Sequence, residues 1–425
     1  MNNKSRVVIF SLIQSPRLNY VLDIVFELRL KVNYLITANE NDIQESDIVI
    51  EYNFKKQTNY DFIESHYIIQ QNTIDKNLVP DIIGENETLK LFPSEESIFK
   101  MDIFSAVFYC LSMYDAYTTN NYDQHKRIVF KDWFPRTSGL DQLPYVEIWI
   151  NQLKDYLEKK GLECQSSQFE QDISFDVDHF YLLDQRPLFQ HIKASLKELF
   201  TLKFFQLFQR WMVILGLTQD PAEKFFDFLE YQDKYKFRFF VLMKQGKNNS
   251  LNPLNDLKKS LIKRLLQYGD IAIHPSYDSL TKPELIESEK NQLAQIIQYF
   301  INISRFHYLR INFPDSFHAL EKYKIKIDQS IGYYDQPGFM ASTCQPFNFF
   351  DPIKNESLSL IIDPFVWMDS MNKYYREIDE KGEKSELLHL KSVVKKYNGK
   401  FNVVFHNDSM VDRRYRMLLK SLLYN

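Results

Sequence analysis

Residues 173–178 read ISFDVD, an apolar strand-forming run that closes on two aspartates, Asp176 and Asp178. Alternate residues of a strand point to one side of a sheet, so carboxylates at i and i+2 converge. Two like charges at a buried strand end are costly, and one pKa is pushed upward unless a cation lies between them. From this stretch onward strands and helices alternate. FRFFVLM (237–243) and DIAIH (270–274) read as strands, as do FHYLRIN (306–312), KIKIDQSIGY (324–333), SLSLIIDPFVWMD (357–369) and FNVVFHN (401–407). Helical patterns lie between them over roughly 188–231, 257–269, 282–302, 315–323 and 384–397. In the first of these, Phe200, Phe204, Phe205, Phe208 and Trp211 recur near helical spacing and are expected in the core. Such alternation implies a parallel sheet, open or closed into a barrel, with its functional residues at the C-terminal strand ends.

Those ends carry chemistry. His274 ends the 270–274 strand, with Asp278 four residues on. Arg305, His307 and Arg310 cluster around 306–312, Asp328 ends the next strand, and His406 ends the last. Each follows an apolar run, which a solvated surface does not explain. Nitrogen and oxygen donors of this kind suit a divalent metal, as in hydrolytic zinc sites. The metal would lower the pKa of a bound water and polarise a carbonyl. A carboxylate alongside takes the water's proton, and a histidine on the far side protonates the leaving group. The chemistry is metal-assisted hydrolysis of an amide or ester, and the spacing does not choose the substrate. His66, His125, His191, His318 and His389 read as structural or exposed.

Upstream the pattern differs. Residues 1–95 alternate short apolar runs with polar turns, as a small α/β or α+β unit does. Helices are expected over 101–118 and 145–160, the second ended by Gly161. The polar stretch ECQSSQFEQD (163–172) marks a boundary, giving an N-terminal domain over 1–165 with a helical C-terminal part and a second domain over 166–425.

Composition narrows the function. Among 425 residues, 52 Lys+Arg oppose 56 Asp+Glu for a net charge of −4, so no broad phosphate-binding field and no nucleic-acid partner are expected. There are 10 glycines, and the closest pair, Gly332 and Gly338, fits neither a P-loop nor a Rossmann fingerprint. Cys110, Cys164 and Cys344 form neither a disulfide framework nor a CxxC site. The apolar runs at 7–13 and 211–217 fall well short of the ~18–20 residues of a membrane span, and the first ends in Gln-Ser-Pro-Arg without a cleavage site. A cytoplasmic chain with no membrane span is expected.

The order FDVDH (175–179), FRFFVL (237–242), QYGDIAIHPSY (267–277), SRFHYLRINFP (304–314), IDQSIGYYDQPGFMASTCQPF (327–347), FVWMD (365–369) and VVFHN (403–407) resembles the polysaccharide deacetylase (NodB-homology) family. The branch it most resembles belongs to bacterial surface-polysaccharide loci, and FSAVFYCLSMYDAY (104–117), DQHKR (123–127) and LPYVEIW (143–149) resemble the helix-rich front segment of that branch. The resemblance covers about residues 100–425. It implies a distorted (β/α) barrel, a divalent metal such as zinc, and removal of acetyl groups from N-acetylated sugars. It implies Asp176 as general base and His406 as general acid, with Asp178, His274 and Asp278 on the metal and His179 as a substitute ligand. Arg305 or Arg310 matches the arginine motif, with His307 beside it. Asp328 and Asp369 are supporting residues, and Tyr333, Tyr334 and Phe339 are candidates to stack on sugar rings. FDVDH stands where the family has TFDDG, and Asp278 stands where it has a second histidine. These departures motivate an alternative: a catalytically degenerate barrel that binds glycan or scaffolds a polysaccharide-assembly complex.

Overall fold

The computed structural model describes residues 6–184, 188–230 and 235–424, so residue 231, the end of the expected 188–231 helical region, lies outside them. The chain is mixed α/β and divides into two compact units. One comprises Met1–Gln171, Leu309–Trp367 and His389–Asn402, and the other Asp172–Tyr308, Met368–Leu388 and Val403–Asn425.

In the first unit four parallel strands, β1 (Val7–Phe10), β2 (Tyr34–Thr37), β3 (Ile48–Asn53) and β4 (Asp61–Glu64), lie in the order β2-β1-β3-β4. β1 is buried along its whole length, which is why its sequence is apolar without alternation. The helix Ile103–Leu111 is also buried on every side, and Asp102 caps it by accepting from the Phe104 and Ser105 amides at 3.1 Å each. It stops short of the expected 101–118 because Met113 turns left-handed at φ 51° and a 3-10 turn follows at Tyr114–Tyr117. The antiparallel pairing of Phe347–Asp351 with Glu356–Ile362 was not expected from sequence.

The second unit holds the charged strand ends of β5 (Glu170–Val177), β6 (Phe237–Val241), β7 (Gly269–Ile273), β8 (Ile303–Ser304) and β9 (Lys400–His406), β5 entering it at Asp172 and β9 at Val403, and the strands neighbour in the order β8-β7-β6-β5-β9. β5 to β8 pair in parallel, with Val177 opposite Val241, Val241 opposite Ile273, and Ile273 opposite Ser304. Carried one residue further, this register sets Asp178, Leu242, His274 and Arg305 on one rung. The alternation sorts the faces. Phe175 and Phe239 point together into an aromatic core, their rings stacked at 5.8 Å, with Phe225 at 4.9 Å from Phe175. Ser174, Asp176 and Phe240 fall on the other face. Gly269 is required by close approach, since a Cβ there would lie 1.8 Å from the Phe237 carbonyl oxygen across the β6–β7 pair.

Two expectations fail here. The segment 306–312 is not a strand: pairing ends at Ser304, and His307–Leu309 is a tight turn with Tyr308 at φ 60°. The aromatics of 188–217 are not core, because Phe200, Phe204, Phe205 and Phe208 are all exposed. Periodicity locates an apolar face but not what covers it. Among the described residues no helix is long and apolar enough to cross a membrane.

Candidate metal centre

At the C-terminal edge of β5 to β8 three donor atoms meet. His274 Nε2 lies 3.5 Å from Asp178 Oδ1, His307 Nδ1 lies 3.4 Å from the same oxygen, and the two ring nitrogens are 3.1 Å apart. Tetrahedral ligands at ~2.1 Å from a common centre are separated by about 3.4 Å, so the spacing fits one zinc-sized ion with a fourth position open.

The local chemistry asks for a cation. Asp178 Oδ1 is buried with no hydrogen-bond partner, an expensive state for a carboxylate oxygen. The imidazole facing it has no proton to offer: His274 Nδ1 sits 2.6 Å from the Arg305 carbonyl oxygen, which only accepts, so Nδ1 holds the proton and Nε2 presents a lone pair. Burial lowers both histidines, His274 to about 4 and His307 to about 3, which keeps them neutral and ligand-competent. Burial likewise pushes Asp178 upward, against the pull of His274 and His406. The residues present therefore fit a divalent metal.

Two charged pairs flank the donors. Asp176 Oδ1 accepts from Arg305 Nη1 at 2.7 Å, and Arg305 Nη2 donates to Ser174 Oγ at 2.9 Å while its guanidinium lies 4.0 Å from the centroid of the Phe240 ring. Burial would raise the Asp176 carboxyl, but Arg305, helped by His274 and His406, outweighs it and holds the group below its usual range. Its other oxygen, Oδ2, is 3.8 Å from His274 Nε2. On the remaining strand, His406 Nδ1 bonds Asp369 Oδ1 at 2.6 Å and the His406 amide donates to Asp369 Oδ2 at 2.8 Å. Burial alone would lower His406, yet Asp369, Asp178 and Asp176 raise it to about 10, so the ring is an imidazolium at neutral pH.

The structure does not bring Asp278 to the donors. Its carboxylate leaves through the 3-10 turn Tyr277–Leu280 and pairs with Lys244 Nζ at 2.7 Å and Asn249 Nδ2 at 3.3 Å. His307, expected only as a neighbour of the arginines, supplies the third donor. His179 Nδ1 instead accepts from the Leu251 amide at 3.2 Å. Arg310, Asp328 and Tyr333 belong to the other unit. There Arg310 Nε donates to the His125 carbonyl oxygen at 2.6 Å, and Asp328 accepts from the Ser330 amide at 3.0 Å. Tyr333 is 1% exposed under the Arg136 guanidinium, and Tyr334 and Phe339 are buried too, so none of the three presents a free ring face to a sugar.

One positioning element went unread. Past β6, Ser250 Oγ donates to the Asp178 carbonyl oxygen at 2.6 Å, and Asn252 Oδ1 accepts from the Phe180 amide at 2.6 Å. Together they pin the turn that carries Asp178. The polar run KNNSLN (247–252) was the available signal, but such runs are common in plain loops.

Residues 7–162 match a family model described as a family of unknown function (DUF7033), a little over a third of the chain. No curated protein sequence matches. Among solved structures, the chain is similar to a Mycobacterium smegmatis protein described as a polysaccharide deacetylase, at 12% identity over 61% of this chain and 85% of that one, with a TM-score of 0.40. It is similar to the polysaccharide deacetylase of Bacillus cereus at 10% identity over 60% and 85%, TM-score 0.31. It is also similar to a 4-alpha-glucanotransferase of Thermococcus litoralis at 13% identity over 61% and 38%, TM-score 0.38.

Proposed function

We propose that this chain is a divalent-metal-dependent hydrolase, with zinc the metal its donors suit best, that removes acetyl groups from N-acetylated sugars in cytoplasmic steps of surface-polysaccharide assembly. The observation that carries the reading is the Asp178–His274–His307 group, two buried imidazoles and a half-buried aspartate whose buried Oδ1 has no hydrogen-bond partner. The sugar substrate and the distorted (β/α) barrel enter through the ordered motifs from FDVDH to VVFHN.

Asp178, His274 and His307 would hold the ion. When bound, it supplies Lewis-acid polarisation of the acetyl carbonyl and a water of lowered pKa. Asp176, kept ionised by Arg305, accepts a proton from the attacking water on its Oδ2 side. Asp369 occupies His406 Nδ1, leaving the Nε2 proton for the departing amine. Ser250 and Asn252 hold the Asp178 turn in place. The degenerate alternative drew on the altered FDVDH motif and on Asp278 standing where the family has a second histidine, and His307 offers an imidazole for the second of these departures.

The test is acetate release from N-acetylated oligosaccharides by the zinc-loaded chain. Asp176→Asn and His406→Gln should each cut turnover by about 10²–10⁴-fold. A zinc-loaded protein inert toward N-acetylated glucosamine, galactosamine and mannosamine oligomers would remove the substrate assignment.

A further inference from the structure

The helices Leu188–Phe200 and Phe204–Ile214 follow the Asp178 turn and take no part in the chemistry above. They are packed inside out. Arg210 Nε donates to Glu198 Oε2 at 3.0 Å, His191 Nδ1 lies 3.5 Å from Arg210 Nη1, and Trp211 Nε1 donates to Ser195 Oγ at 3.1 Å. These polar groups fill the seam between the helices, where a hairpin in water ordinarily sets its apolar stripe. The large apolar side chains face outward instead: Phe189 is 67% exposed, Phe200 83%, Leu202 73%, Phe205 75%, Phe208 63% and Leu217 63%. Large apolar side chains exposed together on two neighbouring helices mark an interaction site.

Charge selects the occupant. Over 188–217 the chain carries Lys193, Lys197, Lys203 and Arg210 against one acid, Glu198, and Arg210 and Glu198 neutralise each other in the seam. Of the acids beside Phe205 and Phe208, Asp220 is held by the Leu182, Leu183 and Asp184 amides and Glu223 by Arg264, which leaves Asp227 against Lys224. The three lysines are exposed among the aromatics, on a chain whose net charge is −4. A second copy docked face to face would set lysine against lysine. Anionic lipid headgroups would pair with them while the acyl boundary takes up Phe and Leu. With 13 and 11 residues, the helices are about 20 and 16 Å long, too short for the ~30 Å hydrocarbon core. They suit a helix pair lying in the interface.

We propose that this hairpin seats the protein peripherally on an anionic lipid surface. The seat is independent of the hydrolytic reading. It is tested by co-sedimentation of the full chain with phosphatidylcholine vesicles, with and without phosphatidylglycerol. Binding should rise about tenfold or more with phosphatidylglycerol and fall as salt is raised. Phe200→Ser/Phe205→Ser/Phe208→Ser should abolish binding to both. Lys193→Glu/Lys197→Glu/Lys203→Glu, which keeps the apolar face, should remove the phosphatidylglycerol preference and decides the matter if the first variant does not fold. A wild-type chain left in the supernatant overturns the proposal, as does a charge-reversed chain that binds like wild type. So does a dimer, seen by sedimentation velocity, that the serine variant splits while no vesicle binds.

Discussion

Arg305 is fully buried and its guanidinium lies 2.7 Å from the 3%-exposed Asp176 carboxylate. Replacing it by methionine keeps comparable bulk over Phe240 but leaves a buried carboxylate without its partner. Breaking a buried pair in this way costs ~3–5 kcal/mol. Asp176 retains the charge of His406, which favours the lower end. Ser174 Oγ also loses its donor but keeps its own bond to the Val403 carbonyl oxygen at 3.1 Å. About 3 kcal/mol raises local opening roughly 150-fold, a ratio readable by hydrogen exchange in peptides spanning 173–178 and 270–274 with chelator present throughout. The double variant Arg305→Met/Asp176→Asn removes the stranded charge and should recover most of the protection. Exchange within threefold of wild type in the single variant, or a double variant no better than the single, would mean that Arg305 does not stabilise the Asp176 carboxylate.

At Gly269 the added methyl of alanine would meet the Phe237 carbonyl oxygen at 1.8 Å, so β6 and β7 must part. Gly269→Ala should cost at least ~3 kcal/mol and accelerate exchange over 237–241, and a wild-type melting profile would contradict it. The raised pKa of His406 gives a pH dependence with a definite sign. Stability from its charged form is complete below about 6.5, the unfolded value, and is lost as pH climbs towards about 10. Asp369→Asn should flatten the loss between pH 6.5 and 10 in denaturant titrations; an unchanged slope would count against the pair.

Asp176, Asp178, His274 and His406 stand out in the sequence because each terminates an apolar strand run, where period and strand end together fix side and level. The choice between Asp278 and His307 was not readable. Both lie beyond their strands, and the turn at 277–280 sends Asp278 to Lys244, while the left-handed Tyr308 closes a turn that holds His307 beside His274. Arg305 and Arg310 were equivalent as letters. Only the register, with Ser304 opposite Ile273, sets Arg305 on the rung of Asp178. The aromatics of 188–217 misled for another reason: their spacing is that of a core helix, and the Glu198–Arg210 pair that turns the hairpin inside out joins residues on different helices.

In the proposed site Asp178, His274 and His307 hold the metal and Asp278 does not. Equilibrium zinc titration of the metal-free chain and its variants tests it most directly. Wild type should bind one equivalent and Asp278→Asn should bind equally, with His307→Ala and Asp178→Asn weakened by about 100-fold or more. Affinity lost in Asp278→Asn but kept in His307→Ala, or no stoichiometric binding at all, would contradict it.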